Sequence, residues 1–95
     1  MKDYKLTITT ANGNQFSGQV YDLFVRGANG DLAILAGHIP FITSVKPGVC
    51  RYTPATEEAK ESSFEIDGGF ITVSPDEVTL ICGGYKEITE DRQSK

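Results

Sequence analysis

The chain has 95 residues, 39% of them hydrophobic and 23% charged, with a formal net charge of −4. That length and balance read as one globular domain with a modest core. A net acidic chain without clustered Lys and Arg is unsuited to nucleic acid or to an anionic membrane surface. No run approaches the ~20 apolar residues of a membrane-spanning helix, and the polar start Met1-Lys2-Asp3-Tyr4-Lys5 has no apolar leader core.

Turn signals recur at the close spacing expected of an all-β sandwich or barrel. The first strand is read from Leu6 and Ile8, which alternate with Lys5, Thr7 and Thr9. Asn12-Gly13 follows, the strongest hairpin signal in the chain, and predicts a type I′ turn with both residues at positive φ. Leu23, Phe24 and Val25 are apolar on both faces. They predict a central strand, or one whose second face meets a partner. Asn29-Gly30 turns the chain into a short strand with Asp31 at its edge, ending in Gly37-His38-Ile39-Pro40. Phe41 to Val45 is the next strand, stopped by Lys46-Pro47-Gly48.

From Tyr52 to Glu61 the pattern breaks. Thr53-Pro54-Ala55-Thr56 cannot continue a ladder cleanly, and Glu57 to Glu61 is charged, so the segment reads as an exposed hairpin tip, with a short helical turn as the other option. Phe64 and Ile66 alternate with Glu65 and Asp67. Gly68-Gly69 restarts the chain into Ile71-Thr72-Val73. After Pro75-Asp76, Val78, Leu80 and Cys82 alternate with Thr79 and Ile81, and Ile81 leaves an apolar group on the second face. The expected domain is residues 1–85. Residues 86–95 are expected to be a polar tail, too poor in apolar groups to offset the entropy of ordering.

Cys50 and Cys82 sit in strand-like, apolar surroundings and read as reduced core residues rather than a disulfide or a metal site. The only histidine is His38. Ser44, His38 and Asp31 could be written as a triad, but there is no Gly-x-Ser-x-Gly elbow, phosphate loop or dinucleotide fingerprint. No catalytic residue, cofactor or metal is predicted. His38 reads as a turn residue bonded to nearby backbone or as a contact residue at a protein interface. Asp31 reads as an acid capping a turn.

The ordered set Gly30-x-Leu32-x-Ile34-Leu35-x-Gly37-His38-x-Pro40, Lys46-Pro47-Gly48 and Gly68-Gly69-Phe70-x-x-Val73 resembles the epsilon subunit of rotary ATP synthases (delta in mitochondrial naming). Tyr4-Lys5-Leu6 and Phe16-Ser17-Gly18 belong to the same likeness, which spans about residues 3 to 84. Ala33 stands where that family more often has Gly, and Ala36 where it more often has Pro.

The resemblance implies an antiparallel two-sheet sandwich of about ten short strands, where the residues alone support about eight. It implies a non-catalytic rotor subunit, peripheral to the cytoplasmic face of the cell membrane, that links the gamma subunit to the ring of c subunits and couples proton transport to ATP synthesis. Thr10, His38, Phe41 and Thr43 match the family's gamma-facing positions. Arg26, Gly27, Ala28, Asn29, Gly30, Asp31 and Leu32 match its loop facing the c ring. The family usually continues into a helical hairpin that can brake hydrolysis or bind ATP. The residues after the sandwich here are too few for it, and those roles are not carried over. The alternative is a free-standing β-sandwich binding module.

Overall fold

The computed structural model describes residues 2–37 and 39–88. Nine strands follow one another: β1 Tyr4–Thr10, β2 Gly13–Gly27, β3 Gly30–Leu35, β4 Phe41–Val45, β5 Gly48–Pro54, β6 Ser62–Ile66, β7 Gly69–Val73, β8 Glu77–Cys82 and β9 Tyr85–Ile88. Among the described residues there is no helix.

β2 is 15 residues long and serves two layers. Up to Val20 it pairs with β1, and from Asp22 it pairs with β3. Its ladder with β5 shifts register between Val20 and Asp22, so Tyr21 sits at an irregularity where the strand turns from one layer to the other. One layer is β2-β1-β8-β7-β4 and the other β3-β2-β5-β6-β9, closed by Gly27 against Val45. Nine strands with β2 counted twice give the ten that the resemblance implies.

The pairing is antiparallel except for β1 with β8, which run parallel from Lys5↔Glu77 to Thr9↔Ile81. Hairpin neighbours are forced antiparallel by their short turns. β1 and β8 come from opposite ends of the chain, and no turn dictates their direction.

Period-two patterning places the core. Leu6, Ile8, Val20, Leu23, Ile34, Phe64, Ile66, Ile71, Val78 and Leu80 are buried between the layers, and no polar or charged residue is buried with them among those described. Each such side chain contributes ~1.5–3 kcal/mol on burial. A row of rings, Phe16, Tyr52, Phe64 and Tyr85, runs through one side at centroid separations of 4.5, 5.9 and 5.4 Å. Tyr4 donates its hydroxyl to the Ile34 carbonyl at 2.7 Å, tying β1 to the end of β3. Leu23, Phe24 and Val25 lie in a strand paired on both edges, as their double apolar pattern predicts.

Three local expectations change. At the first hairpin Gly13 has φ +115, but Asn12 does not have positive φ; the loop residues are Ala11 and Asn12, and the turn is not type I′. The Tyr52–Glu61 segment keeps its ladder as far as Pro54 opposite Val20, because a strand end can dispense with an amide donor. Beyond it residues 56–61 are exposed and non-helical, with Ala59 at φ 47 and its N–H bonded to the Thr56 carbonyl at 3.1 Å. The boundary expected after Tyr85 falls inside β9, which pairs with β6 through Ser63↔Ile88. Backbone bonding and the stack of Tyr85 on Phe64 hold these polar residues, a contribution that side-chain polarity does not register. Residues 89–95 of the expected tail lie outside the described residues.

Cys50 and Cys82 are both free and buried. Burial is the main cause of the raised pKa values here, pushing the Cys50 thiol up to about 11 and the Tyr85 phenol up to about 12, and the Tyr4 phenol still higher with help from the charge of Asp22. Acids with raised folded values are neutral in the fold, so their stabilisation is complete below the unfolded values, 9.0 for Cys and 10.0 for Tyr, and is lost as pH climbs through and above them. Thermal unfolding should therefore show a lower midpoint at about pH 10.5 than at about pH 8. A midpoint that holds or rises would contradict the burial of these groups.

Gly69 faces Cys82 across the β7–β8 pair. A Cβ at Gly69 would collide with the Ile81 carbonyl and come within 2.7 Å of Cys82 Cα, both backbone groups that cannot swing aside. Gly69→Ala should cost about 1–3 kcal/mol, seen as a lower midpoint of thermal or urea unfolding.

Candidate partner-binding surfaces

The β2–β3 hairpin carries the loop residues singled out from sequence. Gly27 is buried, and a Cβ there would press Leu32 Cδ1 at 2.8 Å and the Gly30 carbonyl at 2.9 Å. Gly30 has φ +133, which a side chain resists. Two backbone bonds moor the loop: Ala28 N–H to the Ser44 carbonyl at 3.1 Å, and Lys46 N–H to the Arg26 carbonyl at 2.7 Å. Arg26 also lays its stem over Gly48, where a Cβ would meet Arg26 Cδ at 2.8 Å. Arg26 Nε lies 3.8 Å from Asp31 Oδ1, with both side chains largely exposed. Such a pair is worth little, so Asp31 is a solvent-facing charge on a loop held by backbone.

A concavity of about 200 Å3 is bordered by residues 27–32 and by Phe41 and Thr43 of β4. The structure thus brings together most of the loop set and two of the four residues matched to the gamma-facing positions. Thr10 is apart, on β1, with β8 and β7 between it and β4. There it accepts from Asn12 N–H at 3.1 Å and from Gln15 Nε2 at 3.2 Å. His38 lies outside the described residues.

Strand parity also matters. Phe41, Thr43 and Val45 share a face, the one turned toward the core, with Val45 buried and Phe41 packed against it. The outward residues of β4 are Ile42 and Ser44. Ile42 is 70% exposed, Phe70 59% and Ile81 50%. Phe70 pairs with Ser44 on one side and Ile81 on the other, while Ile42 faces Thr72. The outer face of β4-β7-β8 therefore presents three large apolar groups among small polar ones. Sequence reading found Ile81 but not Ile42 or Phe70. Both stand beside inward apolar residues, and a run apolar at consecutive positions does not reveal which parity is buried.

The opposite layer has its own concavity of about 340 Å3, bordered by Phe24, Arg26, Val49 and Arg51 among others. Its cations are already engaged. The Arg51 guanidinium lies 4.7 Å over the Phe24 ring and its Nε 3.0 Å from Glu61, and Arg26 faces Asp31. The Arg51 contacts brace β5 against β2. Among the described residues no group of three or more His, Cys, Asp and Glu could hold a metal ion, and no helix is long and apolar enough to cross a membrane.

The fold and its surfaces define a β-sandwich whose exposed features, among the described residues, are an apolar sheet face and a moored, charged loop. The family model described as the ATP synthase delta/epsilon chain, beta-sandwich domain, matches residues 3–87, and the chain belongs to that family. Among solved structures it is similar to a chain of the Euglena gracilis mitochondrial ATP synthase, solved as OSCP/F1/c-ring in rotational state 1. The TM-score is 0.81 at 22% identity, over 95% of this chain and 58% of that one. A chain of the Tetrahymena thermophila mitochondrial ATP synthase central stalk/c-ring is similar with a TM-score of 0.76 at 16% identity, over 99% of this chain and 73% of that one. This chain thus spans little more than half of the Euglena chain.

Proposed function

We propose that this chain is a non-catalytic rotor subunit of an ATP synthase, peripheral to the membrane, which joins the gamma subunit to the c ring so that ion-driven rotation reaches the distant catalytic sites. Family membership over residues 3–87 supports the setting. The observation that carries the reading is the outer face of β4-β7-β8, where Ile42, Phe70 and Ile81 stand exposed on a sheet whose inner face already packs the core. A sandwich supported from within is stiff, and an apolar outer face is what a partner covers.

In this reading gamma covers that face, while the moored hairpin of residues 26–32 meets the polar loops of the ring with Asp31 as its charge. Phe41 and Thr43, at the concavity beside the hairpin, would lie where the two partners approach each other. Thr10 and His38 remain proposed gamma contacts.

Phe70→Asp tests the face. Phe70 is exposed in the free chain, so the fold should survive, whereas a carboxylate buried without a partner should weaken gamma binding roughly a hundredfold in calorimetry. Unchanged affinity would remove the face from the interface. Asp31→Lys tests the loop. ATP hydrolysis should persist while ATP-driven ion pumping falls, more so at low salt, because an exposed pair is worth only ~0–1 kcal/mol and is screened. Pumping that is indifferent to the reversal would remove Asp31 from the ring contact.

A further inference from the structure

β3 is the exposed margin of its layer. It bonds along one edge to β2, from Asp22↔Leu35 to Gly27↔Gly30, and no described strand pairs with its other edge. The direction of its backbone groups follows from one bond. The Arg26 carbonyl accepts from Lys46 N–H, on the side of β2 away from β3. Residues opposed in an antiparallel pair turn their N–H and C=O either toward each other or both away. Asp31, which opposes Arg26, therefore turns its N–H and C=O to the free edge, and so do Ala33 and Leu35, two and four residues on.

Proteins usually blunt such an edge with Lys, Pro, a bulge or a covering segment. Here β3 carries no Lys or Pro and pairs with β2 without a register shift; its one charge, Asp31, sits at the hairpin end of the strand. The far edge of the same layer is different, since β9 places Lys86 and Glu87 there. The β3 strand also lies beside β4, since Leu32 borders the same concavity as Phe41 and Thr43. Leu35 is 54% exposed, and the connection from β3 to β4 carries Ile39 at 80%, three residues before Ile42 on the outer face.

We infer that β3 accepts an added strand: an extended segment of the gamma subunit, uncharged over about five residues, completes the hydrogen bonds of Asp31, Ala33 and Leu35. Its side chains would lie against Ala33, Leu35 and Ile39. This rests on the reading of gamma as the partner. It adds the mode of attachment, which is a backbone ladder rather than side-chain contact alone. A ladder fixes direction and register, as a part that transmits torque requires.

The test is amide hydrogen exchange on this chain, free and bound to the purified gamma subunit of its ATP synthase, with Ala33→Pro and Ala33→Val beside it. In the free chain Leu32 and Ile34, bonded to β2, should exchange slowly, and Asp31, Ala33 and Leu35 fast. In the complex all five should be slow. Ala33→Pro removes one outward donor at an edge position where proline is tolerated, and should weaken gamma binding about tenfold, whereas Ala33→Val keeps the donor and should not. Gamma binding that leaves Asp31, Ala33 and Leu35 in fast exchange would overturn strand addition while leaving gamma as the partner. No gamma binding at all would overturn both. Slow exchange of the three amides in the chain alone, accompanied by dimerisation, would also overturn the proposal, because the edge would then serve a second copy.

Discussion

Both layers depend on β2. Its 15 residues pair with β1 before Tyr21 and with β3 after it, while β5 pairs from Val20 to Phe24, so each sheet has the same strand as a member. The irregularity at Tyr21 lets one strand change layers while Val20, Leu23 and Val25 stay buried. A break there would separate the two halves of the core together. Two of the other pairs, β7 with β8 and β5 with β6, are local hairpins that could form in many arrangements. β5 joins its layer through β2, and β8 joins the other through β1, the partner of β2.

A core filled entirely by inward side chains leaves the outer faces free for other uses. One outer face is braced internally by Arg51 over Phe24 and bonded to Glu61. The other presents Ile42, Phe70 and Ile81 without internal cover. The hairpin of residues 26–32 is held by backbone bonds to β4 and the 46–48 turn, not by its surface ion pair. Charges on that loop can therefore be set by a partner's needs at little cost to the fold. A rigid body with one apolar face, one braced face and one anchored charged loop is a physical basis for the proposed coupling role, in which stiffness matters more than chemistry.

Much of the fold was legible because period-two alternation is direct evidence of which residues face inward: Leu6 and Ile8, Phe64 and Ile66, Val78 and Leu80 all went where the pattern put them. The parallel β1–β8 pair was not legible, since no turn links the two strands. Nor was β9, because Lys86 and Glu87 are polar, while what holds them is backbone pairing with β6 and the stack of Tyr85 on Phe64. At the surface, Asn29-Gly30 marked a hairpin, but Asp31, read as an acid capping a turn, stands largely exposed beside Arg26. The apolar face was hidden, because Phe41-Ile42 and Phe70-Ile71 are apolar at both parities. The likeness to a family pointed to Phe41 and Thr43, which turn inward; the structure adds Ile42, their outward neighbour.

Mechanical coupling is open to measurement by reconstitution. An ATP synthase stripped of its delta/epsilon-type subunit, with gamma and the c ring retained, would be placed in vesicles and resupplied with this chain. Ions pumped per ATP hydrolysed should rise toward the value of the intact complex as the chain is added, while the chain hydrolyses nothing on its own. A pumping ratio that stays at the stripped level, with the chain demonstrably bound, would contradict the coupling role.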